Sequence, residues 1–303
     1  MPIGIRTKAF RKAIVGLLIL FFFTFFGFVI HNNFGDSDVA KHEVQEAFDK
    51  GVGWIINNKK EIENEHNSVL WWMLGEAATL SNNHDLLSTV NDYANNTTQR
   101  YENSPWSYLI LKKEPDLSQL NPSLLLQLPD YNLHFIYGFS CNRELAELDI
   151  IKEQNETGFC LKHHPISPAC FTHQMMGFRF MQRSSCNRIK DIAEKLATLS
   201  GYVRFQSILD FRVADVYIQR VLMLRESNNS EKINQRWIRR ILLHQRTDGG
   251  WGDFQPLIRI YENSYLGFTS RGISVASPKS TFHATAQGIW LMALLLNVSG
   301  AGP

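Results

Sequence analysis

Acidic residues are missing from the beginning of this sequence, where no Asp or Glu precedes Asp36. Four basic residues do precede it: Arg6, Lys8, Arg11 and Lys12. An uncharged apolar run then occupies residues 13–30, and no later stretch compares with it. At the rise of an α-helix this run spans about 27 Å, close to the core of a thin bilayer. The lack of a second run excludes a protein that crosses the membrane several times.

The charge asymmetry predicts a single-pass type II membrane protein, because positive flanks stay in the cytosol. Residues 1–12 are predicted to be a cytosolic tail and residues 13–30 a signal anchor. A linker follows at residues 31–41, and residues 42–303 form an extracytoplasmic domain. A cleaved signal peptide is the alternative, although no small-residue cleavage site follows the run. Both place the domain in the endoplasmic reticulum or Golgi lumen, outside the cell, or in a bacterial periplasm.

The domain also lacks a strong charge imbalance. The chain has 31 basic and 29 acidic residues, a net charge of +2. Without the four basic residues of the N-terminal flank, the balance becomes −2. No basic patch indicates nucleic acid, and no block of like charge indicates a disordered tail. No feature predicts an oligomeric state.

Cysteine is scarce, and Cys141, Cys160, Cys170 and Cys186 all lie in one central stretch. Beyond a membrane this number predicts two disulfides. A zinc site of Cys160, Cys170 and His173 is the alternative, but its spacing matches no common closed site. Of three possible pairings, Cys170 with Cys186 is disfavoured, because a predicted helix would separate them by roughly 24 Å. The pairs Cys160–Cys170 and Cys141–Cys186 are easier to form, and neither a metal nor a cofactor is predicted.

Acceptor sequences for N-linked glycans are present and suit a secretory lumen. We therefore expect a glycoprotein. The candidate sites are Asn95, Asn96, Asn155, Asn228 and Asn297.

Alternating apolar and polar runs are absent, so we predict no β-sheet. Apolar residues recur at helical spacing instead, which predicts an all-α domain of roughly ten helices in antiparallel pairs. Asn187 and Ser230 are predicted helix N-caps. The predicted helices cover residues 44–56, 69–80, 86–94, 143–152, 168–184, 187–200, 208–225, 231–245 and 281–296.

The most informative motif runs from Gln245 to Phe254, with the sequence QRTDGGWGDF. Gly249 and Gly250 are expected to end a helix, and Trp251 to fold back over it. The motif resembles the QW repeat of the terpenoid-cyclase-like α/α toroids, over about residues 237–294. The resemblance implies an all-α α/α toroid, in which paired helices form a double ring.

Activities known in toroid families do not carry over. The sequence has no D-x-D-D acid of a cyclase, no thioester motif and no matching zinc ligands of a prenyltransferase. A fainter likeness is to a family of secreted animal proteins of unassigned function. It rests on Cys170-x-Thr172-His173-Gln174, Cys186, a predicted helix with Asp210, Gln245 with Gly250-Trp251-Gly252, and His283-x-Thr285-Ala286. This second likeness supports a secretory compartment without implying an activity.

A few residues are candidates for chemistry. His173 and His283 are candidates for proton transfer, with core packing or capping as the alternative. Arg271, in the Gly- and Ser-rich segment 267–277, is a candidate anion ligand on a mobile lid. A surface loop is the alternative there. Three residues of the QW-like motif are candidates for substrate binding, with a role in the turn as the alternative: Asp248, Trp251 and Asp253.

No catalytic constellation emerges from these residues. The first hypothesis is therefore a non-catalytic binding or scaffold protein of unknown ligand, whose cavity is filled with side chains; a glycan or a lipid is the candidate ligand. The second is an enzyme that acts on a glycan or lipid in the toroid cavity. An open cavity that contains both histidines and a carboxylate within about 8 Å would favour the enzyme, and a core filled by Phe, Trp and Leu would exclude it.

Overall fold

A computed structural model describes residues 3–35, 38–113, 125, 127–227 and 233–297, with the backbone alone for residues 3–9. The described chain is mostly helical. Its helices are α1 Ile3–Asn33, α2 Lys41–Asn57, α3 Lys59–Ile62, α4 Ser68–Ser81, α5 His84–Asn96, α6 Thr98–Tyr101, α7 Ser107–Leu111, α8 Asp130–Ser140, α9 Arg143–Ala146, α10 Asp149–Gln154, α11 Phe159–His163, α12 Cys170–Arg183, α13 Ile192–Leu209, α14 Asp215–Glu226, α15 Gln235–Leu243 and α16 Phe282–Leu296.

The expectation of no β-sheet was wrong. A three-stranded antiparallel sheet lies between α15 and α16, in the order β1-β2-β3. The strand pairing shifts twice along β1, after Pro256 and after Arg259, and these shifts interrupt the alternation that would reveal a strand. Most of segment 267–277 belongs to the β2–β3 hairpin of this sheet. The strands are β1 Phe254–Tyr261, β2 Ser264–Thr269 and β3 Gly272–Ala276.

Several predicted helix boundaries were also wrong. The predicted helix 143–152 is two short helices, α9 and α10. The predicted helices at 187–200 and 208–225 both begin later, at Ile192 and Asp215. Asn187 is not an N-cap, because the chain first turns near Cys186, which a disulfide holds against the end of α8. Asn234 caps α15 through its side chain, and Ser230 lies outside the described residues.

Both favoured cysteine pairs are confirmed as disulfides. Cys141–Cys186 joins the end of α8 to the segment after α12, and Cys160–Cys170 joins α11 to the first residue of α12. All four cysteines of the chain are thus paired. Among the described residues no group of His, Cys, Asp or Glu is arranged to hold a metal ion.

Helix α16 lies in the centre of the domain. It packs against α2, α4 and α14, and its residues from Ala284 to Ala293 are all buried. Trp72 of α4 fills the middle, with its ring 5.0 Å from that of Trp290 and 4.9 Å from that of Phe180. This aromatic contact joins α4, α12 and α16 and fills the centre of the domain.

The N-terminal helix is different from all the others. Its part from Phe10 to Asn33 is long and apolar enough to cross a membrane, and this part is exposed apart from its last turns. A signal sequence has the same properties, so the helix is either an anchor or a signal. Together with the two disulfides, it indicates an oxidising compartment outside the cytoplasm. The predicted linker begins as helix, since α1 continues to Asn33, which is buried.

Candidate active site

A cleft of about 920 Å³ opens where five helices begin. Residues near the starts of α4, α8, α12, α14 and α16 line it, together with the turn between β2 and β3. Each helix start carries partial positive charge from unpaired backbone N–H groups and the helix dipole. The convergence of five such ends favours a ligand with negative charge. Aromatic rings complete the wall: Trp106, Tyr131, Phe135 and Phe159.

His283 and Asp215 form a hydrogen-bonded pair in this cleft. Thr281 caps α16 and Asp215 is the first residue of α14, so the two helix starts bring the side chains together. His283 Nδ1 lies 3.2 Å from Asp215 Oδ2, and its side chain remains 43% exposed. Burial alone would raise the pKa of Asp215. The hydrogen bond and the charge of the imidazolium form of His283 outweigh that effect and lower this pKa below its usual value.

Gln287, one turn further along α16, holds the other nitrogen of the same ring. Its Nε2 lies 3.0 Å from His283 Nε2, which assigns the proton of the neutral ring to Nδ1, facing Asp215. Gln287 is fully buried, and its Oε1 has no hydrogen-bond donor among the described residues. A buried acceptor of this kind is costly when unpaired.

His173 lies in the first turns of α12 and faces the same cleft. Its ring stacks on Tyr131, with centroids 4.3 Å apart, and meets Phe135 edge-on. Burial, and then the charge of His283, lower the pKa of His173 to about 4. The described residues offer no hydrogen-bond partner to either ring nitrogen. His173 is therefore a neutral imidazole at physiological pH, with a lone pair available to a ligand.

Arg271 approaches the cleft from the β2–β3 turn. Its side chain is exposed, and Ser270 beside it also lines the cleft. The sequence candidates His173, His283 and Arg271 thus meet in one place, although they are far apart in the chain.

The QW-like motif lies elsewhere and has a structural role. We call residues 245–254 the clasp segment. Gln245 Nε2 donates to the carbonyl groups of Ala47 in α2 and of Gly249. Asp248 Oδ1 accepts from the Gly250 N–H and from the Ser280 hydroxyl.

Trp251 completes the same connection. It is buried, and its indole N–H donates to the Ile241 carbonyl at the end of α15. Its backbone N–H donates to Thr285 in α16. Neither Asp248 nor Trp251 lines the cleft, and Asp253 is an exposed residue away from it. The structure thus gives no support to these three residues as ligands of a substrate in this cleft.

The glycan acceptor sites differ in accessibility. Asn95 and Asn96 are exposed at the end of α5, and Asn297 is exposed after α16. Asn155 is buried, and its Oδ1 lies 3.2 Å from Nε2 of buried His134. This burial argues against a glycan on Asn155 in the folded domain. Asn228 lies outside the described residues.

No protein-family model matches the chain, and neither a curated protein nor a solved structure matches it. The likeness to toroid proteins therefore rests on the motif residues alone.

Proposed function

We propose that this protein is a membrane-anchored enzyme that moves a proton on an acidic glycan bound in the cleft. One observation carries the proposal. A neutral histidine, a second histidine paired with a carboxylate, and an arginine share a single open cleft. The open cleft favours the second of the two hypotheses from the sequence over the non-catalytic one.

The surroundings of each histidine in the cleft indicate its role. His173 takes a proton from the substrate, because it is neutral and has an available lone pair. Its low pKa makes it a weak base in the empty cleft, and a bound anion raises that pKa by Coulomb attraction. His283 keeps Nδ1 bonded to Asp215 and Nε2 bonded to Gln287, so we assign it no proton transfer; it holds a fixed polar ring in the same cleft as His173.

Recognition of the acidic group falls to Arg271 and the five helix starts. An arginine binds a carboxylate or sulfate through paired N–H donors, and the helix starts add positive potential. The aromatic wall offers flat apolar surfaces on which sugar rings can stack.

The architecture proposed for this enzyme is the α/α toroid. Support comes from the five helix starts around one cleft and from the clasp segment, which joins α2, α15 and α16 in the manner of a QW repeat. We further propose that the N-terminus is cytosolic and that the domain lies in the lumen of the secretory pathway. The basic flank of residues 13–30, the paired cysteines and the exposed Asn95 and Asn96 support this placement.

Hydrogen exchange with solvent tests the activity directly. The full chain, in nanodiscs, is incubated in D₂O with uronate-containing oligosaccharides, and mass spectrometry follows deuterium uptake and cleavage. We expect uptake or cleavage with the unaltered chain, and loss of both in His173→Gln. Asp253→Asn, exposed and outside the cleft, is the matched control and keeps full activity. Binding without exchange or cleavage would overturn the proposal and assign the cleft to a receptor.

Glycan attachment in animal cells tests the location. An enzymatic deglycosylation shift is expected for the unaltered chain and for Asn155→Gln. The shift becomes smaller or disappears when Asn95 and Asn96 are both replaced by Gln. A chain without any shift would contradict a lumenal domain.

A further inference from the structure

One face of the β-sheet is mostly apolar, and its Gln255, opposite Phe268, accepts a hydrogen bond from the Val213 N–H. Residues directly opposite each other on antiparallel strands share a face. Ile258 lies opposite Leu266, which also faces Val275 on the other side, and Phe268 lies opposite Ile273. We call these five residues the apolar sheet face. The other face carries polar residues, among them Arg259.

Much of the apolar sheet face is uncovered. Ile258 is 61% exposed, Ile273 71% and Val275 58%. Contiguous apolar surface of this kind is uncommon on soluble domains and indicates a contact with a partner or a membrane.

The apolar sheet face continues directly into the N-terminal helix. Phe268 meets Phe211 edge-on, with centroids 5.1 Å apart, and Phe211 stacks on Phe28 of α1 at 5.9 Å. Phe28 belongs to the apolar run and precedes the end of α1 at Asn33 by about 7 Å along the helix axis. Along the axis of α1, Phe211 therefore lies level with the end of the apolar run 13–30. Phe205 and Leu209, at the end of α13, are exposed beside it.

The end of α1 is fixed to the domain. Asn33 Oδ1 accepts from the indole N–H of Trp237 at 2.7 Å, and Asn33 Nδ2 donates to the Ile208 carbonyl at 2.8 Å. Asn234 Nδ2 donates to the Asn33 carbonyl. These bonds tie α1 to α13 and α15, so the domain cannot swing freely about a flexible linker.

We propose that the apolar sheet face inserts into the headgroup–acyl boundary of the same bilayer that α1 spans. A membrane is the occupant that the continuity with α1 requires, because a helix that spans the bilayer carries Phe211 and Phe268 to its surface. The insertion stabilises the contact by removing Ile273 and Val275 from water. It also places the β2–β3 turn, with Arg271, at the level of the headgroups. This second membrane contact rests on the proposed role of α1 as a membrane anchor, and its test does not depend on the proposed chemistry.

Site-directed fluorescence tests the insertion. All native cysteines are in disulfides, so a fluorophore attaches to a single introduced thiol. The full chain is reconstituted into phosphatidylcholine vesicles that contain a doxyl-labelled phosphatidylcholine as quencher. Ile273→Cys and Val275→Cys carry the probe on the apolar face. Arg259→Cys, exposed on the opposite face, is the matched control.

We expect the lipid quencher to remove most of the fluorescence at positions 273 and 275 and little at position 259. Aqueous iodide should produce the reverse order. Equal quenching at all three positions would overturn the proposal. A probe at 273 that neither the lipid quencher nor iodide reaches would also overturn it, since a second protein copy would then cover the face. Each substituted position is exposed, so correct folding is expected and is checked by thermal unfolding.

Discussion

The two sides of the beginning of α16 differ in how their polar groups are used. On one side, the clasp segment directs Gln245, Asp248 and Trp251 onto backbone and side-chain partners in α2, α15 and α16. On the other side, His173 lines the cleft without a hydrogen bond from its ring to any described residue. Stability explains the first arrangement. The second arrangement leaves a ring nitrogen of His173 unpaired, and the proposed acidic ligand would use it.

The comparison separates a visible motif from a functional site. The clasp segment is easy to notice because its residues are adjacent in sequence. The cleft draws its residues from five helix starts and one turn. A motif that fastens helices together therefore says little about the function of a cleft nearby.

Removal of the clasp tryptophan should have the largest effect. Trp251→Ala should lower the free energy of unfolding by about 3–5 kcal/mol, because a fully buried ring leaves a cavity. Chemical denaturation of the full chain in non-ionic micelles measures this change. Trp106→Ala, in the half-buried wall of the cleft, should cost clearly less. An equal loss of unfolding free energy in the two variants would contradict the difference described between the clasp segment and the cleft.

The cleft should make stability depend on pH. The pKa of His173 is about 4 in the fold, and an unfolded histidine titrates near 6.5. The unfolded chain thus binds the proton first, and stability falls as pH drops from about 6.5 to 4. The contribution of His173 is on the order of 3 kcal/mol.

His173→Phe, which keeps the stack on Tyr131, should reduce this pH dependence. Burial also lowers the pKa of His134 to about 4, so a part of the pH dependence should remain in this variant. Chemical denaturation of both proteins at a series of pH values measures how the free energy of unfolding depends on pH. An unchanged slope in the variant would show that His173 is not held neutral by the cleft.

Close packing at the clasp should make a small addition harmful. A Cβ on Gly288 would lie 2.6 Å from the Trp251 ring, so Gly288→Ala should cost about 1–3 kcal/mol. Gly201, inside α13, has nothing within 4 Å of its Cβ position. Gly201→Ala should therefore stabilise the protein by about 0.5–1 kcal/mol. A gain at both positions would contradict the packing described for Trp251.

Removal of the cleft arginine should change stability least. Arg271→Ala should alter the free energy of unfolding by less than about 0.5 kcal/mol, because the side chain is exposed. It should weaken the binding of a uronate oligosaccharide by roughly 10- to 100-fold, the usual value of a charged hydrogen bond. Calorimetric titration measures the affinity. Unchanged affinity would show that Arg271 does not bind the acidic group.

Sequence patterns predicted the parts of this protein that depend on local physics. The apolar run 13–30 and the helix at 281–296 follow from hydrophobicity and periodicity. The helix predicted between Cys170 and Cys186 argued against joining these two residues, and both disulfides of the structure agree with that distance argument. The β-sheet escaped prediction because the register shifts in β1 mask its alternation.

The site was only partly predictable. His173, His283 and Arg271 were found as residue types that carry chemistry, but no local signal showed that they meet. Asp215 was missed because the predicted helix 208–225 placed it mid-helix. With the true start of α14, it would have been noticed as an acidic residue in a first turn. Tyr131 and Gln287 carry no sequence signal, since their roles come from contacts between distant helices.

Titration of the ten histidines by NMR tests the central claim most directly. The full chain, with ¹³C-labelled histidine, is titrated in nanodiscs with and without a uronate oligosaccharide, and His173→Gln assigns the resonance. The account predicts that the pKa of His173 is about 4 in the free protein and rises when the acidic glycan binds. A His173 that titrates near 6.5 and does not respond to the glycan would contradict it.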